Sequence, residues 1–318
     1  MDLDTLQSLL KSYRDELDLI AVAVVDRDGL IIASEMKDVA EDVVGATTAM
    51  IDSYISRIKE EFGTKSDFFH ITSAETQKFA YCAAGSQALL TSIAMRDTAD
   101  IKLKVYSQHI SEKIKRIIEG EENISIQIPE IVKVMGNMRE GRLPKGIYST
   151  KLIVTGSFQA GKSSLVRRFV EDQFSDTYIA TLGVDISKKG ISLSKDCSIN
   201  FILWDIGGQF NQMEPYRRRF YNGTNSIFIV VDRTRKETLD AVGLWYKDMK
   251  KSIPEIDRLP VVLIGNKSDL VDQIQVSAED LKNKAQEYGF HFIETSAKTG
   301  ENVQDAFTYI AYRILESV

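Results

Sequence analysis

Leu3, Leu6, Leu10, Tyr13 and Leu17 recur at intervals of three and four residues, which predicts a helix with one apolar face. Residues 20–25 and 30–33 are apolar runs around Asp26-Arg27-Asp28-Gly29, a strong hairpin turn. Val43, Thr47, Met50, Ile51, Tyr54 and Ile58 return to helical spacing. Three strand-like runs follow at 68–72, 78–84 and 88–95, and a helix then carries Leu103, Tyr106, Ile110, Ile114 and Ile117 on one side. The first 120 residues thus read helix, two strands, helix, three strands, helix.

Residues 119–149 break this rhythm with Gly120, Pro129, Gly136, Gly141, Pro144 and Gly146, which predicts a linker. Within it Ile124, Ile126 and Ile128 alternate like a short strand, and residues 131–138 suit a short helix. From about Tyr148 strands and helices alternate. Strands are expected at 151–156, 191–193, 199–205, 226–232, 261–265 and 291–294, and helices from near Gly161 and at 237–251, 278–288 and 303–316. That alternation predicts an α/β domain over 148–318, a mostly parallel sheet with helices on both faces, after an α+β domain over 1–120 and a linker over 121–147. The almost unbroken apolar run at 226–232 fits a strand covered on both sides.

Chemistry enters at the first strand-to-helix junction of the second domain. Gly156-Ser157-Phe158-Gln159-Ala160-Gly161-Lys162-Ser163 fits G-x-x-x-x-G-K-[ST], the loop that wraps nucleotide phosphates. Its glycines let backbone N–H groups turn toward phosphate oxygens, and the following helix N-terminus adds partial positive charge. Lys162 supplies a full charge for the β- and γ-phosphates, and the Ser163 hydroxyl is a ligand for Mg²⁺. Four further signals follow. Asp205-Ile206-Gly207-Gly208-Gln209 closes a strand, placing an aspartate for Mg²⁺, a Gly208 N–H for the γ-phosphate and Gln209 to orient an attacking water. Thr181 is placed to close over Mg²⁺ when a third phosphate is present. In Asn266-Lys267-Ser268-Asp269 the carboxylate suits the N1–H and N2–H₂ of guanine, which adenine does not offer. Backbone N–H groups of Thr295-Ser296-Ala297-Lys298 suit the guanine O6.

Composition narrows the surroundings of this site. The chain has 318 residues, 43% hydrophobic and 27% charged, as in soluble globular proteins of two domains. Its net charge of −6 gives no attraction to nucleic acid or anionic lipid, so no nucleic-acid partner is expected. Residues 1–120 hold 14 Lys and Arg against 20 Asp and Glu, so that part carries the whole imbalance. Two cysteines, Cys82 and Cys197, fit a reducing, cytoplasmic setting without a disulfide framework. No apolar run reaches bilayer length, and neither Asp2 nor the terminal Ile314-Leu315-Glu316-Ser317-Val318 suits lipidation. The expectation is no direct lipid anchor, with any membrane recruitment going through partners. His70, His109 and His291 show no metal-ligand spacing, and Arg217-Arg218-Arg219 reads as a solvated helix face or, less simply, as a source of charge stabilisation.

With five nucleotide-binding motifs in order and spacing, residues 148–318 resemble the Ras-like small GTPases. The stretch Tyr178-Ile179-Ala180-Thr181-Leu182-Gly183-Val184-Asp185 is similar to the Rab branch, and Trp204-Asp205-Ile206-Gly207-Gly208-Gln209 to the Arf branch, so the resemblance stops at the superfamily. It implies a switch that binds GTP and GDP with Mg²⁺, and nucleotide contacts at Gly156, Ala160, Gly161, Lys162, Ser163, Ser164, Thr181, Asp205, Gly208, Asn266, Lys267, Asp269, Ser296, Ala297 and Lys298. Metal ligation would fall to Ser163, Thr181 and Asp205, and catalysis to Gln209, Lys162 and Thr181. The order of elements in residues 1–120 resembles the roadblock (dynein light chain 7-like) family; the leading helix separates it from the related longin domain. That resemblance implies a dimerising or regulatory platform, pairing as a homodimer or heterodimer through its central helix and neighbouring strand, with effectors and GTPase regulators as further partners. The combination is similar to archaeal small GTPases. Two features bear on rate. Residues 171–181 contain no arginine, which predicts slow intrinsic hydrolysis. Phe158 stands where many Ras-like proteins have a small residue, an obstacle to a partner's arginine unless its ring turns outward.

Overall fold

The computed structural model describes residues 2–36, 39–62, 69–138, 143–175, 181, 183–194, 196–209 and 214–316. Expectations for Phe68, Gly141, Tyr178–Ala180 and Leu182, and for the side chain of Ile58, lie outside the described residues. The chain divides into two compact units, Met1–Glu140 and Gly141–Val318. Among the described residues no helix is long and apolar enough to cross a membrane.

The first unit runs α1 (Leu3–Leu17), β1 (Ala21–Asp26), β2 (Ile31–Met36), α2 (Glu41–Phe62), β3 (Phe69–Ser73), β4 (Gln77–Ala84), β5 (Ala88–Met95), α3 (Asp100–Ile118) and α4 (Glu130–Gly136). Its strands form one antiparallel sheet in the order β2-β1-β5-β4-β3. Both faces are covered. Ala21, Ala23 and Val25 of β1 pack with Val44 of α2, where the Thr48 and Thr91 hydroxyls lie 2.8 Å apart. On the other side the Tyr13 hydroxyl of α1 meets Ser107 of α3 at 2.9 Å and Ser92 of β5 at 3.2 Å, a buried polar link among apolar neighbours. Burial of the Tyr13 phenol pushes its pKa up to about 12.

The strand expected at 124–128 does not form. Lys113, almost wholly buried, donates instead to the carbonyls of Ser125 at 2.5 Å and Gln127 at 2.6 Å, so the segment is held as an irregular strap. α4 buries Ile131, Val132 and Met135, and Lys133 pairs with Glu16 at 2.7 Å. Residues 121–138 are therefore packed into the first unit.

The second unit runs β6 (Gly146–Gly156), α5 (Lys162–Glu171), β7 (Val184–Ser194), β8 (Cys197–Ile206), α6 (Glu214–Tyr221), β9 (Ser226–Asp232), α7 (Lys236–Asp240), α8 (Val242–Lys250), β10 (Val261–Asn266), α9 (Ala278–Tyr288), β11 (His291–Glu294) and α10 (Val303–Leu315). The sheet order is β11-β10-β9-β6-β8-β7, parallel except for the β7–β8 pair. β9 shows why its sequence is apolar throughout: Ile227, Ile229 and Val231 join a core with α7, α8 and α9, while Phe228 meets Phe307 of α10 on the opposite face. The helix expected over 237–251 is divided at Ala241 into α7 and α8. β7 is far longer than the three residues expected; the mostly polar N-terminal half hides it from an apolar pattern. The carboxyl ends of β6, β8, β9 and β10 carry Gly156, Asp205, Asp232 and Asn266, so the sheet itself gathers the candidate site.

Candidate nucleotide site

The turn after β6 opens a pocket of about 430 Å³, within the range of small-molecule sites. Its phosphate side is lined by Gly161, Lys162, Ser163 and Ser164 at the start of α5, with Thr181 and Gly208 from the two following loops. Gly161 is in the left-handed region at φ 88°, and a Cβ there would strike the Asn266 amide. Gly208 lies against the Phe158 backbone, where a Cβ would come within 2.7 Å of the Lys162 ammonium nitrogen. Gly156 and Ala160 do not line the pocket; Ala160 is fully buried behind the loop.

Three oxygens converge beside Ser163. Its hydroxyl lies 2.8 Å from that of Thr181 and donates to Asp205 Oδ2, which Thr181 also reaches at 3.3 Å. The other carboxylate oxygen, Asp205 Oδ1, is buried without a hydrogen-bond partner. Hydroxyl and carboxylate oxygens are the donors a hard cation prefers, and an orphaned buried oxygen costs stability until something binds it. The set fits Mg²⁺. Among the described residues no cluster of His, Cys, Asp and Glu would hold a metal alone.

Electrostatics agree with a site that awaits charge. Burial drives Lys162 down to about 8, against the pull of nearby Asp205, and Arg235 lowers it further. Burial also raises the Asp205 carboxyl, although Ser163 and Lys162 oppose that shift. Both groups are desolvated more than they compensate one another. Meanwhile Lys162 Nζ donates to the Ser157 carbonyl at 3.0 Å.

At the other end of the pocket stand Asn266, Lys267, Asp269, Ala297 and Lys298. Asn266, almost wholly buried, donates to the Ala160 carbonyl at 3.0 Å and accepts from the Ala297 N–H at 3.1 Å, tying base loop to phosphate loop. Ser296 is fully buried and donates to Asp269 at 2.6 Å, fixing the carboxylate. Lys267 turns away to Asp232 at 2.6 Å. Asp232 also holds Arg235 at 2.8 Å, and Arg235 in turn donates to the Phe158 carbonyl at 2.6 Å. Burial works against the charge of Asp232, but Lys267, Thr234 and Arg235 together hold its pKa below the ordinary value.

Three placements bear on the expectations. Gln209 is half-buried and does not line the pocket. Phe158 lines the pocket with about a third of its surface exposed. Arg217 is neither solvated nor part of the pocket lining: it is fully buried, pairs with Asp248 at 2.9 Å beside the Tyr221 hydroxyl, and lies over Trp245; Arg218 and Arg219 are the exposed pair. Sequence reasoning missed Phe174, which lines the pocket with Leu270 and Arg167. Its signal is an apolar ring isolated among Glu171, Asp172, Gln173 and Ser175, where no core requires it.

Residues 151–316, just over half the chain, match the Ras family. The chain belongs to the Ras family. Residues 5–94 match the roadblock/LC7 domain, so both modules occur in one protein. Over 168 residues it is 36% identical to the Ras-related protein RABF2b of Arabidopsis thaliana, covering 52% of this chain and 81% of that one. It is also 36% identical to the Ras-related protein Rab-1 of Theileria annulata, over 54% of this chain and 76% of that one. The GTP-binding protein ypt2 of Schizosaccharomyces pombe matches at 36% over 52% and 82% of the two chains. These Ras-family relatives are Rab-like, and the family as a whole binds GTP and GDP and has GTPase activity.

Proposed function

We propose that this protein is a slow, Mg²⁺-dependent GTPase switch whose second unit binds GTP and GDP. The observation that carries the reading is the convergence of the Ser163 and Thr181 hydroxyls on Asp205 Oδ2, in a carboxylate whose Oδ1 is buried without a partner. When bound, Mg²⁺ would neutralise charge on the β- and γ-phosphate oxygens. Lys162 adds a second positive charge there, Gly208 donates its N–H to the γ-phosphate, and Gln209 swings in to orient the attacking water. Water adds to the γ-phosphorus as the bond to the β–γ bridging oxygen breaks, leaving GDP and phosphate. Thr181 and Gly208 then lose their shared contact, and their loops relax.

A slow rate is supported by the engagement of Arg235. Its charge is felt at Lys162, but its guanidinium is spent on Asp232 and the Phe158 carbonyl. Ras-like enzymes without an arginine in cis turn over at roughly 10⁻⁴ s⁻¹. Loading the full chain with GTP and following phosphate release under single-turnover conditions tests this. A rate on the order of 1 s⁻¹ without a partner sinks it, against the 10³- to 10⁵-fold that a supplied arginine adds. Phe158 at the pocket favours a second reading, a GTP-bound scaffold that does not hydrolyse. Retention of unhydrolysed GTP over a day would select that reading.

The first unit is proposed to pair with a like domain through α2, on which Val43, Met50 and Tyr54 are exposed. Ile186, exposed on β7 opposite Trp204, is the apolar feature offered to effectors beside the nucleotide loops. A cytoplasmic setting with partner-mediated membrane recruitment completes the proposal.

A further inference from the structure

We propose that Arg168 is a positioning residue for base recognition: by gripping two carbonyls of the base loop it aims the Lys298 backbone N–H into the pocket, as donor to the keto oxygen of guanine. The inference rests on the guanine-nucleotide reading of that pocket and names a residue that never touches the nucleotide.

Arg168 sits in the last turn of α5 and does not line the pocket. Its Nε donates to the Ala297 carbonyl at 3.0 Å and its Nη2 to the Lys298 carbonyl at 2.5 Å. Nη1 bonds both the carbonyl and a carboxylate oxygen of Asp172, each at 3.1 Å. A guanidinium is a planar fork with donors in fixed directions, so carbonyls held by one fork are fixed relative to one another.

The consequence follows from peptide geometry. The Ala297 carbonyl and the Lys298 N–H belong to one planar unit, and no peptide bond here is cis. In a trans unit the two groups point in opposite senses. Holding the carbonyl from the α5 side therefore turns the Lys298 N–H the other way, toward the pocket that Ala297 and Lys298 line. The next unit is fixed likewise, with the Lys298 carbonyl on Arg168 and the Thr299 N–H on the Ser296 hydroxyl at 3.0 Å. The adjacent Ala297 N–H is committed to Asn266 Oδ1, which makes Lys298 the donor for a keto oxygen. Arg168 thus sets this donor on the same loop whose Ser296 fixes Asp269.

The test titrates two nucleotides onto the full chain and its Arg168→Met and Arg168→Lys variants. One is GDP. The other is 2-aminopurine riboside 5′-diphosphate, which keeps the 2-amino group and both phosphates but has neither the 6-keto oxygen nor the N1–H, so its affinity is compared only between the parent and its variants. Arg168→Met is expected to weaken GDP about tenfold, the size of one hydrogen bond, and to leave the 2-aminopurine nucleotide within about twofold. Arg168→Lys, which reaches one carbonyl at a time, falls between, and carries the comparison alone if the methionine variant does not fold. Equal weakening of both nucleotides, or of neither, overturns the role of Arg168. Failure of the parent to bind GDP overturns the guanine reading itself, whatever the variants do.

Discussion

Ser163 and Thr181 lie eighteen residues apart in the chain, and their hydroxyl oxygens stand 2.8 Å apart beside the Asp205 carboxylate. Ser163 belongs to the start of α5, whereas Thr181 precedes β7. Thr181→Ala is expected to lower Mg²⁺ affinity of the GTP-loaded protein by about 10- to 100-fold, as for loss of a ligating or supporting group, with little effect on the GDP-loaded form. Thr181→Ser should restore most of it. Metal titration of the two nucleotide states checks both outcomes; equal losses in the two states would remove Thr181 from the switch.

Lys162 predicts a pH dependence with a defined sign. In the free protein burial holds it at about 8, and bound phosphates raise it by favouring the ammonium form. The charged form is the one that binds. GDP affinity should therefore be flat below about pH 8 and fall up to about tenfold per pH unit above it, until the pKa of the bound state is passed. Lys162→Arg, charged throughout, should bind with a flat profile over the same range. Equilibrium titrations between about pH 6.5 and 9.5 measure the slope; a flat parent profile contradicts the assignment.

Phe158 and Arg235 make a separate prediction. The Arg235 bond goes to the Phe158 carbonyl, so Phe158→Gly removes the ring and keeps the brace. If the ring blocks a partner's arginine, Phe158→Gly should leave the intrinsic rate near roughly 10⁻⁴ s⁻¹ and raise the rate with an activating partner by up to about 10³-fold. Single-turnover phosphate release with and without partner separates the two effects. An unchanged partner-stimulated rate would clear the ring of any role.

What the sequence made legible was what local chemistry encodes. The phosphate loop, Asp205 and Asn266–Asp269 each sit at a strand's carboxyl end, so a strand–turn pattern located them without tertiary knowledge. β7 is only partly legible because Lys188, Lys189 and Gly190 separate the alternation of Val184 and Ile186 from that of Ile191 and Leu193 in an edge strand. The opposite error arose at Ile124, Ile126 and Ile128, whose alternation has no neighbouring strand to pair with; Lys113 takes the carbonyls instead. Phe174 and Arg168 escaped because their roles depend on loops distant in the chain. Arg217 was half legible: it and Tyr221 are four apart on one helix face, the face that turns inward to Asp248.

That buried ion pair predicts asymmetric stability effects. Asp248→Ala leaves the Arg217 guanidinium buried without its carboxylate and should cost about 3–5 kcal/mol. Replacing both partners by apolar residues of similar volume should cost far less, since no desolvated charge remains. Denaturant unfolding of the single and double variants with GDP at saturation provides the comparison. A double variant as unstable as Asp248→Ala would mean that the pair contributes attraction rather than a compensated burial.

The last prediction concerns the first unit. On α2, Val44 and Thr48 face the sheet, while Val43, Met50 and Tyr54 are 59%, 73% and 65% exposed along the outer side. An apolar stripe of this kind on an otherwise amphipathic helix marks an interaction face. If two copies meet there, Met50→Glu puts two unpaired charges, one from each copy, into the apolar contact, and Tyr54→Glu does the same a turn later. Each variant should run as a monomer in sedimentation at concentrations where the parent is a dimer. Thr48, bonded to Thr91 inside the domain, is untouched by either change, so domain stability should stay within about 0.5 kcal/mol, as for surface substitutions. A parent that is monomeric throughout, or variants that remain dimeric, would exclude α2 as the pairing surface.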